Sequence, residues 1–245
     1  MSGRIRLDQL LVQRGAVESR EQAQRLIRTG RVLVAGQPAT KPGHGYPQDV
    51  DCTVTESAPF VSRGGEKLAG ALEAFGIRLD GVVAVDVGAS TGGFTDCLLQ
   101  HGAAKVYAVD VGKGQLHWRL RQDERVVVME GVNARGLEPV WFDPPPQWAT
   151  VDVSFISLTK ILPALTRVLV PGGSAVTLIK PQFEAGREQV GKGGVVRDAA
   201  VHQAVIEAVR RFGTEELGWI WHGHCVSPLT GPAGNREFLA YWSKT

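Results

Sequence analysis

A glycine-rich turn that follows an apolar segment constrains this chain most. Residues 82–85 are apolar, and the ten residues DVGASTGGFT follow at positions 86–95. The pattern predicts a strand, a turn and a helix, because glycine permits turn conformations and lets another group approach the backbone closely. The start of the helix offers free N–H groups to a ligand. A doubly wound sheet binds nucleotide-like molecules in this way.

Two common nucleotide-binding patterns do not fit the turn. A triphosphate-binding loop needs a lysine after its last glycine, where this chain has Phe94. The glycine spacing differs from that of dehydrogenases, and Asp86 would repel a pyrophosphate. An acidic residue at this position favours a positively charged ligand. S-adenosylmethionine carries an ammonium and a sulfonium and no phosphate, so it is the preferred ligand. The alternative is an ordinary turn of a nucleotide-binding fold. The expected cofactor-binding residues here are Asp86, Gly88, Ser90, Thr91, Gly92, Gly93 and Phe94.

Composition excludes several classes of protein. With 245 residues, of which 43% are hydrophobic, the chain can form one large domain or a large and a small one. No apolar run reaches membrane-spanning length and no signal peptide opens the chain, so we expect a cytoplasmic protein. The three scattered cysteines predict reduced thiols. His222 and His224 lack a third ligand at suitable spacing, so we expect no metal.

The charge is concentrated at the amino terminus. Residues 1–41 contain eight lysines and arginines against three acids, a formal charge of +5, whereas the remainder carries −3. A basic end on a nearly neutral protein suggests nucleic acid as a partner, and a solvated charged face is the alternative.

The first 56 residues predict a small α+β module. Leu7, Leu10 and Leu11 have helical spacing, and Ser19 with Gln22 forms a capping box for a second helix. Short strands are expected at 31–34 and 51–55, and a loop at 43–47. The arrangement resembles the S4-like RNA-binding module of ribosomal proteins, which implies structured RNA as the ligand. The residues expected to bind RNA are Arg4, Arg6, Arg20, Arg25 and Arg28.

A predicted linker at 57–61 leads to a larger α/β domain at 62–245. Strands are expected at 82–86, 105–110, 126–129, 150–153, 175–180, 219–225 and 238–242. A helix that ends at Gly76 is expected before the first strand. Further helices are expected after the first strand up to Gln100, at about 115–121, after the fourth strand up to Val168, and at about 201–212. This alternation indicates a Rossmann-like parallel sheet. The last two strands have no helix between them, which favours an antiparallel final strand, as in methyltransferases.

Polar residues at the strand ends indicate the site, since ligands bind beyond the carboxyl ends of such strands. Asp110 is expected to hold a ribose, or else to cap the next turn, and Asn133 to lie beside the adenine. Asp152 and Lys180 are expected to end two strands. Lys67 and Glu237 would have to converge on the same opening, although each alone is more typical of a surface charge.

Methyl transfer to a hydroxyl requires a base that removes the proton and an oxygen aligned behind the methyl–sulfur bond. A lysine can act as this base only as the neutral amine. Asp152 would orient the amine.

Five motifs resemble the TlyA family and span nearly the whole chain. They are VSRGGEKL at 61–68, DVGASTGGFT at 86–95, DVSFISL at 152–158, KPQFE at 180–184 and GNRE at 234–237. The resemblance implies an S4-like module joined to an FtsJ-like domain that methylates the 2′-hydroxyl of cytidine in ribosomal RNA. It implies a catalytic tetrad at Lys67, Asp152, Lys180 and Glu237, with Lys180 as base, and stacking of Phe155 on a displaced base. Phe155 could instead be ordinary core.

Two departures from the family qualify the expectation. Relatives often have an arginine and a tryptophan where this chain has Ala58 and Phe60, so communication through the linker is expected to differ. Relatives that modify both ribosomal RNAs tend to extend beyond the position of Thr245, which favours 23S rRNA as the target and leaves 16S rRNA open as a second one. The alternative functions are a haemolysin-like membrane-active protein and a ribosome-assembly factor with a vestigial cofactor site. The sequence does not determine the oligomeric state.

Overall fold

The computed structural model describes residues 4–28, 30–55, 59–231 and 233–245. The chain forms two compact units, Met1–Ala58 and Pro59–Thr245. Residues 57 and 58 of the predicted linker lie outside the described residues. Phe60 was expected to lie in the linker, but its side chain is buried in the core of the second unit. The domain limits 1–56, 57–61 and 62–245 stay a prediction.

The first unit is a small α+β module. Its strands are β1 (Ile5–Arg6), β2 (Val32–Val34), β3 (Gln37–Ala39), β4 (Gly45–Tyr46) and β5 (Cys52–Val54), and its helices are α1 (Leu7–Gln13) and α2 (Arg20–Arg28). Strands β3, β2 and β5 form one antiparallel sheet. The loop predicted at 43–47 is wrong in part, because β4 pairs with β1. Ser19 caps α2 by accepting the N–H of Gln22.

The second unit alternates strands and helices. Its strands are β6 (Val83–Val87), β7 (Lys105–Asp110), β8 (Val126–Glu130), β9 (Trp148–Val151), β10 (Ser174–Ile179), β11 (Ile220–Val226) and β12 (Phe238–Ser243). Its α-helices are α3 (Gly64–Phe75), α4 (Gly93–Gln100), α5 (Trp118–Arg121), α6 (Leu162–Val168), α7 (Pro181–Glu184) and α8 (Ala199–Arg211). Short helical turns lie at Ala134–Gly136, Pro139–Trp141, Leu158–Lys160, Arg187–Gln189 and Phe212–Glu216.

The seven strands of this unit form one sheet in the order β11-β12-β10-β9-β6-β7-β8. Strands β8, β7, β6, β9 and β10 pair in parallel, whereas β12 is antiparallel to both β10 and β11. Two clusters of buried apolar side chains cover the sheet. The α/β methyltransferase-type sheet with its antiparallel last strand is therefore confirmed.

Strand β9 is shifted along the chain relative to its predicted position, and helix α5 is shorter than predicted. Strand β9 begins at Trp148, two residues earlier than predicted, and ends at Val151, so Asp152 follows the strand instead of lying within it. Helix α5 covers only Trp118–Arg121 of the predicted 115–121. The reason is that the Glu130 carboxylate accepts the N–H groups of Gln115 and Leu116, which holds those residues in a turn.

Candidate active site

The chain order reverses between β6 and β9, and a cavity of about 480 Å³ lies beyond the carboxyl ends of the central strands. Its apolar wall includes Val111, Val132, Ile156 and Ile161. Its polar lining consists of Ser90, Asp110, Gln115, Asn133, Arg135, Asp152 and Ser154, together with the backbone of Gly88. An apolar wall with a few polar groups is typical of a site for a nucleoside-sized ligand.

The predicted cofactor residues divide into two groups. Gly88, Ser90, Asp110, Asn133 and Asp152 line the cavity. Thr91, Gly92, Gly93, Phe94 and Asp86 are not among its lining residues. Phe94 is the second residue of α4, and its side chain is buried in one of the apolar clusters that cover the sheet.

Asp86 does not reach the cavity, contrary to the prediction that its carboxylate meets a cationic ligand. It lies within β6 and is fully buried, with Thr95 donating to Oδ2 at 2.7 Å and Thr150 donating to Oδ1 at 2.9 Å. Burial raises the pKa of Asp86 to about 6; the hydrogen bonds from both threonines oppose this rise, whereas the charge of Asp152 adds to it. Asp86 therefore ties α4 and β9 to β6 beneath the turn.

This buried acid predicts a pH dependence of stability. Since the pKa of Asp86 rises from 3.8 in the unfolded chain to about 6 on folding, the free energy of unfolding decreases as pH rises through this interval. The loss approaches about 3 kcal/mol above pH 6. Urea unfolding of the wild type and of Asp86→Asn between pH 4 and pH 7 measures this loss. The difference between the two profiles reports Asp86 alone, because all other titrating groups are common to both proteins. Parallel profiles of the two proteins would contradict the assignment.

At two glycines of the turn, a side chain would clash with neighbouring protein atoms. A Cβ at Gly88, which has φ +85°, would lie 2.4 Å from the carbonyl oxygen of Asp152. A Cβ at Gly93 would lie 2.3 Å from Ser62 Oγ and 2.8 Å from the amide nitrogen of Gly65. The sequence indicated close approach of a ligand, whereas the structure shows that these glycines also let β9 and α3 pack against the turn.

Asp110 and Glu130 shape the turns at the cavity edge. Asp110 accepts the N–H of Ser90 at 2.8 Å and that of Gly112 at 2.7 Å. Each carboxylate oxygen keeps a second acceptor site, so the group fits the hydroxyls of a ribose. Hydrogen bonds from the backbone of Gly114 and from Arg121 lower the pKa of Glu130 to about 2, despite an opposing effect of burial.

Lys180 and Asp152 form an ion pair beside the cavity. Lys180 directly follows β10, and its Nζ lies 2.5 Å from Asp152 Oδ1. The same Nζ donates to Ser154 Oγ at 3.0 Å. The Lys180 side chain is 10% exposed and that of Asp152 is 22% exposed. The pair is therefore shielded from bulk water on the lysine side and open to the cavity on the acid side.

Lys67 and Glu237 form a second ion pair. Lys67 Nζ donates to Glu237 Oε2 at 2.6 Å, and both residues are buried. Glu237 precedes Phe238, which pairs with Ile179, so Glu237 and Lys180 come next to each other across β10 and β12. The structure thus brings the four predicted catalytic residues to one edge of the sheet as two ion pairs.

Phe155 is not part of the core. Its side chain is 90% exposed and its backbone has φ +62°. It lines the cavity together with its neighbour Ser154, two residues beyond Asp152. The prediction that it could be ordinary core is wrong, and stacking on a base stays a prediction.

In the first unit, two of the predicted RNA-binding arginines contact a buried acid. Asp8 is fully buried and lies 2.9 Å from Arg6 and 3.2 Å from Arg20, whose side chains are half exposed. Hydrogen bonds from Arg6, Gln24 and Arg20 lower the pKa of Asp8, against the effect of burial. The acid thereby fixes the two guanidinium groups. Arg4, Arg25 and Arg28 are exposed.

Some site residues were missed from the sequence. Gln115 and Arg135 line the cavity, and Ser154 contacts Lys180. Ser154 could have been inferred from its place between Asp152 and Phe155, whereas nothing local marks the other two. Among the described residues, no group of three or more histidines, cysteines or acids is arranged to hold a metal ion. None of the helices in the described ranges has the length and hydrophobicity needed to cross a bilayer.

Known proteins match both units. Residues 60–244 match the FtsJ-like methyltransferase family, and residues 5–45 match the S4 domain. The chain is 48% identical over 247 residues to the 16S/23S rRNA (cytidine-2′-O)-methyltransferase TlyA of Mycobacterium tuberculosis, which covers 100% of this chain and 91% of that protein. The chain belongs to the TlyA family. YqxC of Bacillus subtilis is 51% identical to this TlyA-family chain over 242 residues, 98% of the chain and 86% of YqxC.

A solved structure of a Streptococcus thermophilus protein that carries a hemolysin name is similar throughout. It is 47% identical, covers 100% of this chain and 90% of its own, and superposes with a TM-score of 0.78. The predicted membership of the TlyA family, with its S4 and FtsJ-like parts, is confirmed.

Proposed function

We propose that this chain transfers a methyl group from S-adenosylmethionine to the 2′-hydroxyl of a cytidine in ribosomal RNA. The observation that carries the proposal is that two ion pairs, Lys180–Asp152 and Lys67–Glu237, lie at the same end of strands β10 and β12, and that Asp152 also lines the cavity. The name of the TlyA relative supports this reaction and both ribosomal RNAs as targets. Such a substrate would place the protein in the cytoplasm.

The cavity fits the cofactor. Asp110 would accept the ribose hydroxyls, Asn133 would lie beside the adenine, and Val111, Val132 and Ile161 would contact its faces. The bound cofactor supplies a methyl group activated by its sulfonium.

Proton transfer falls to the residues of this chain. The ammonium of Lys180 first has to release a proton to water. Its neutral Nζ would then accept the proton of the ribose hydroxyl as the oxygen becomes methylated. Asp152 orients Nζ and then faces the ammonium that results. Glu237 holds Lys67 in the buried pair, which places a second cation at the same edge.

The test uses the full chain with methyl-labelled cofactor and separated ribosomal subunits, followed by mass spectrometry of the digested RNA. We expect labelled 2′-O-methylcytidine in 23S rRNA of the large subunit, in 16S rRNA of the small subunit, or in both. Tight binding of RNA without methyl incorporation would instead support an assembly factor. Leakage from lipid vesicles treated with the protein, again without methylation, would support a membrane-active protein.

The first unit is expected to bind the RNA backbone. Arg28→Glu, which replaces an exposed cation of α2 by an anion, should weaken RNA binding and reduce the salt dependence by roughly one phosphate contact. Arg78→Glu, at an 87% exposed arginine of the second unit, is the control. Filter binding across a salt series and calorimetry with the cofactor measure both affinities. An RNA affinity equal to that of the control would remove Arg28 from the interface.

A further inference from the structure

Glu184 is a partly buried carboxylate that takes no part in the proposed proton transfer. It is the last residue of α7, four positions after Lys180. Its Oε2 accepts a hydrogen bond from Ser157 Oγ at 2.6 Å, and its Oε1 accepts the N–H of Leu158 at 2.8 Å. Burial raises the pKa of Glu184, although both hydrogen bonds oppose the rise. A carboxylate kept in such surroundings needs a structural reason.

The segment that Glu184 holds contains Phe155. This residue combines a left-handed backbone, which is unfavourable for a side chain with a Cβ, with a ring that is 90% exposed. Backbone strain of this kind persists only where the surrounding structure enforces it. Both ends of the segment are in fact tied, because Ser154 accepts from Lys180 while Ser157 and Leu158 donate to Glu184.

Helix α7 also supplies a second ring. The centroid of Phe183 lies 5.0 Å from that of Phe155, with the ring planes inclined by 48°. Lys180 Nζ lies 6.0 Å from the centre of the Phe183 ring. Residues 180–184 therefore contain the proposed base, the Phe183 ring that contacts Phe155, and the carboxylate that holds the segment carrying Phe155.

We propose that Glu184 is a positioning residue, which holds Phe155 and Phe183 as a two-ring surface for an unpaired base of the RNA at a fixed distance from Lys180. The proposal rests on the proposed function for the identity of the ligand. Aromatic side chains bind unpaired bases by stacking, so the orientation of the rings determines where the ribose of that nucleotide lies. Base recognition and proton removal would then be set by the same turn of helix.

The first test measures the segment itself and needs no RNA. Hydrogen exchange across residues 153–160 is compared in wild type, Glu184→Ala and Glu184→Gln. We expect exchange of the Leu158 amide to be at least about tenfold faster in Glu184→Ala, because it loses its acceptor. The glutamine variant, which keeps an acceptor oxygen, should restore most of the protection. Glu188→Ala, at an exposed glutamate four residues further on, is the control. Unchanged exchange in Glu184→Ala would overturn the proposal.

The second test is a double-mutant cycle on methyl transfer with Phe155→Ala. If Glu184 acts through Phe155, Glu184→Ala should reduce kcat/KM roughly tenfold or more, mainly through KM, in the presence of the ring. In the Phe155→Ala background the loss should fall within about twofold. Glu184→Gln should restore activity. Additive losses, or a lowered cofactor affinity in Glu184→Ala, would overturn the proposal. A wild-type protein without activity would refute the proposed function, and hydrogen exchange would still decide the role of Glu184.

Discussion

Replacement of Lys180 by alanine is expected to slow methyl transfer by about 10³-fold, the usual contribution of a general base. The side chain is 10% exposed and its Nζ contacts Asp152 and Ser154, so no other described lysine occupies the same position. Because Asp152 is partly open to the cavity, water can solvate the acid once the lysine is removed. The loss should therefore appear in the rate of transfer and not in the fold.

Lys180→Arg is the matched control. Arginine keeps the positive charge beside Asp152 but does not release its proton in proteins, so the variant should be as inactive as Lys180→Ala. Single-turnover methylation measures the chemical step, and calorimetry should give a cofactor affinity within about threefold of wild type, since no contact of Lys180 with the cofactor is proposed. If Lys180→Arg keeps more than a tenth of the wild-type rate, Lys180 acts through its charge and not as a base.

Replacement of Gly88 by alanine is expected to damage both the fold and the site. The new Cβ would lie 2.4 Å from the Asp152 carbonyl oxygen, 2.9 Å from its carbonyl carbon and 3.3 Å from the nitrogen of Val153. All three are backbone atoms, so no side-chain rotation relieves the clash. The strand end that carries Asp152 has to move. We expect the free energy of unfolding to fall by about 3 kcal/mol or more and cofactor binding to be lost.

Gly114→Ala separates backbone strain from this clash. Gly114 also has a positive φ, +71°, but a Cβ there meets nothing within 4 Å. Alanine at this position should cost only about 1–2 kcal/mol, the penalty of the left-handed conformation. Urea unfolding and calorimetry with the cofactor compare the two variants. If the two alanine variants lose the same free energy of unfolding and the same cofactor affinity, the contact between Gly88 and the Asp152 backbone is not what requires glycine at position 88.

Local patterns predicted the larger part of the fold. Strand β7 has the predicted bounds, Lys105–Asp110, because its apolar run is bounded on both sides by polar or glycine-containing turns. Helix α3 ends at Gly76 as expected, since that residue takes the left-handed conformation. Helix α7 was missed, because four residues are too few to show a helical period, although Pro181 begins it.

The candidate site was less accessible to local reasoning. Both faces of the central strand β6 are covered, so alternation along it does not tell which side chains face the cavity, and the expectation for Asp86 failed for this reason. The contacts of Glu184 with Ser157 and Leu158 join residues 26 and 27 positions apart. No rule based on helix or strand periodicity predicts a contact between residues so far apart in the sequence. Motif resemblance indicated the tetrad, whereas the pairing of Lys67 with Glu237 required the structure.

The placement of β12 has a consequence for synthesis. This strand inserts between β10 and β11, and the residue before it is the partner of Lys67. Until residues 237–243 have left the ribosome during synthesis, β10 has an open edge and the amine of Lys67 lacks its acid. A nascent chain therefore cannot complete this edge of the sheet until residues 237–243 are free to fold, however early the five parallel strands assemble.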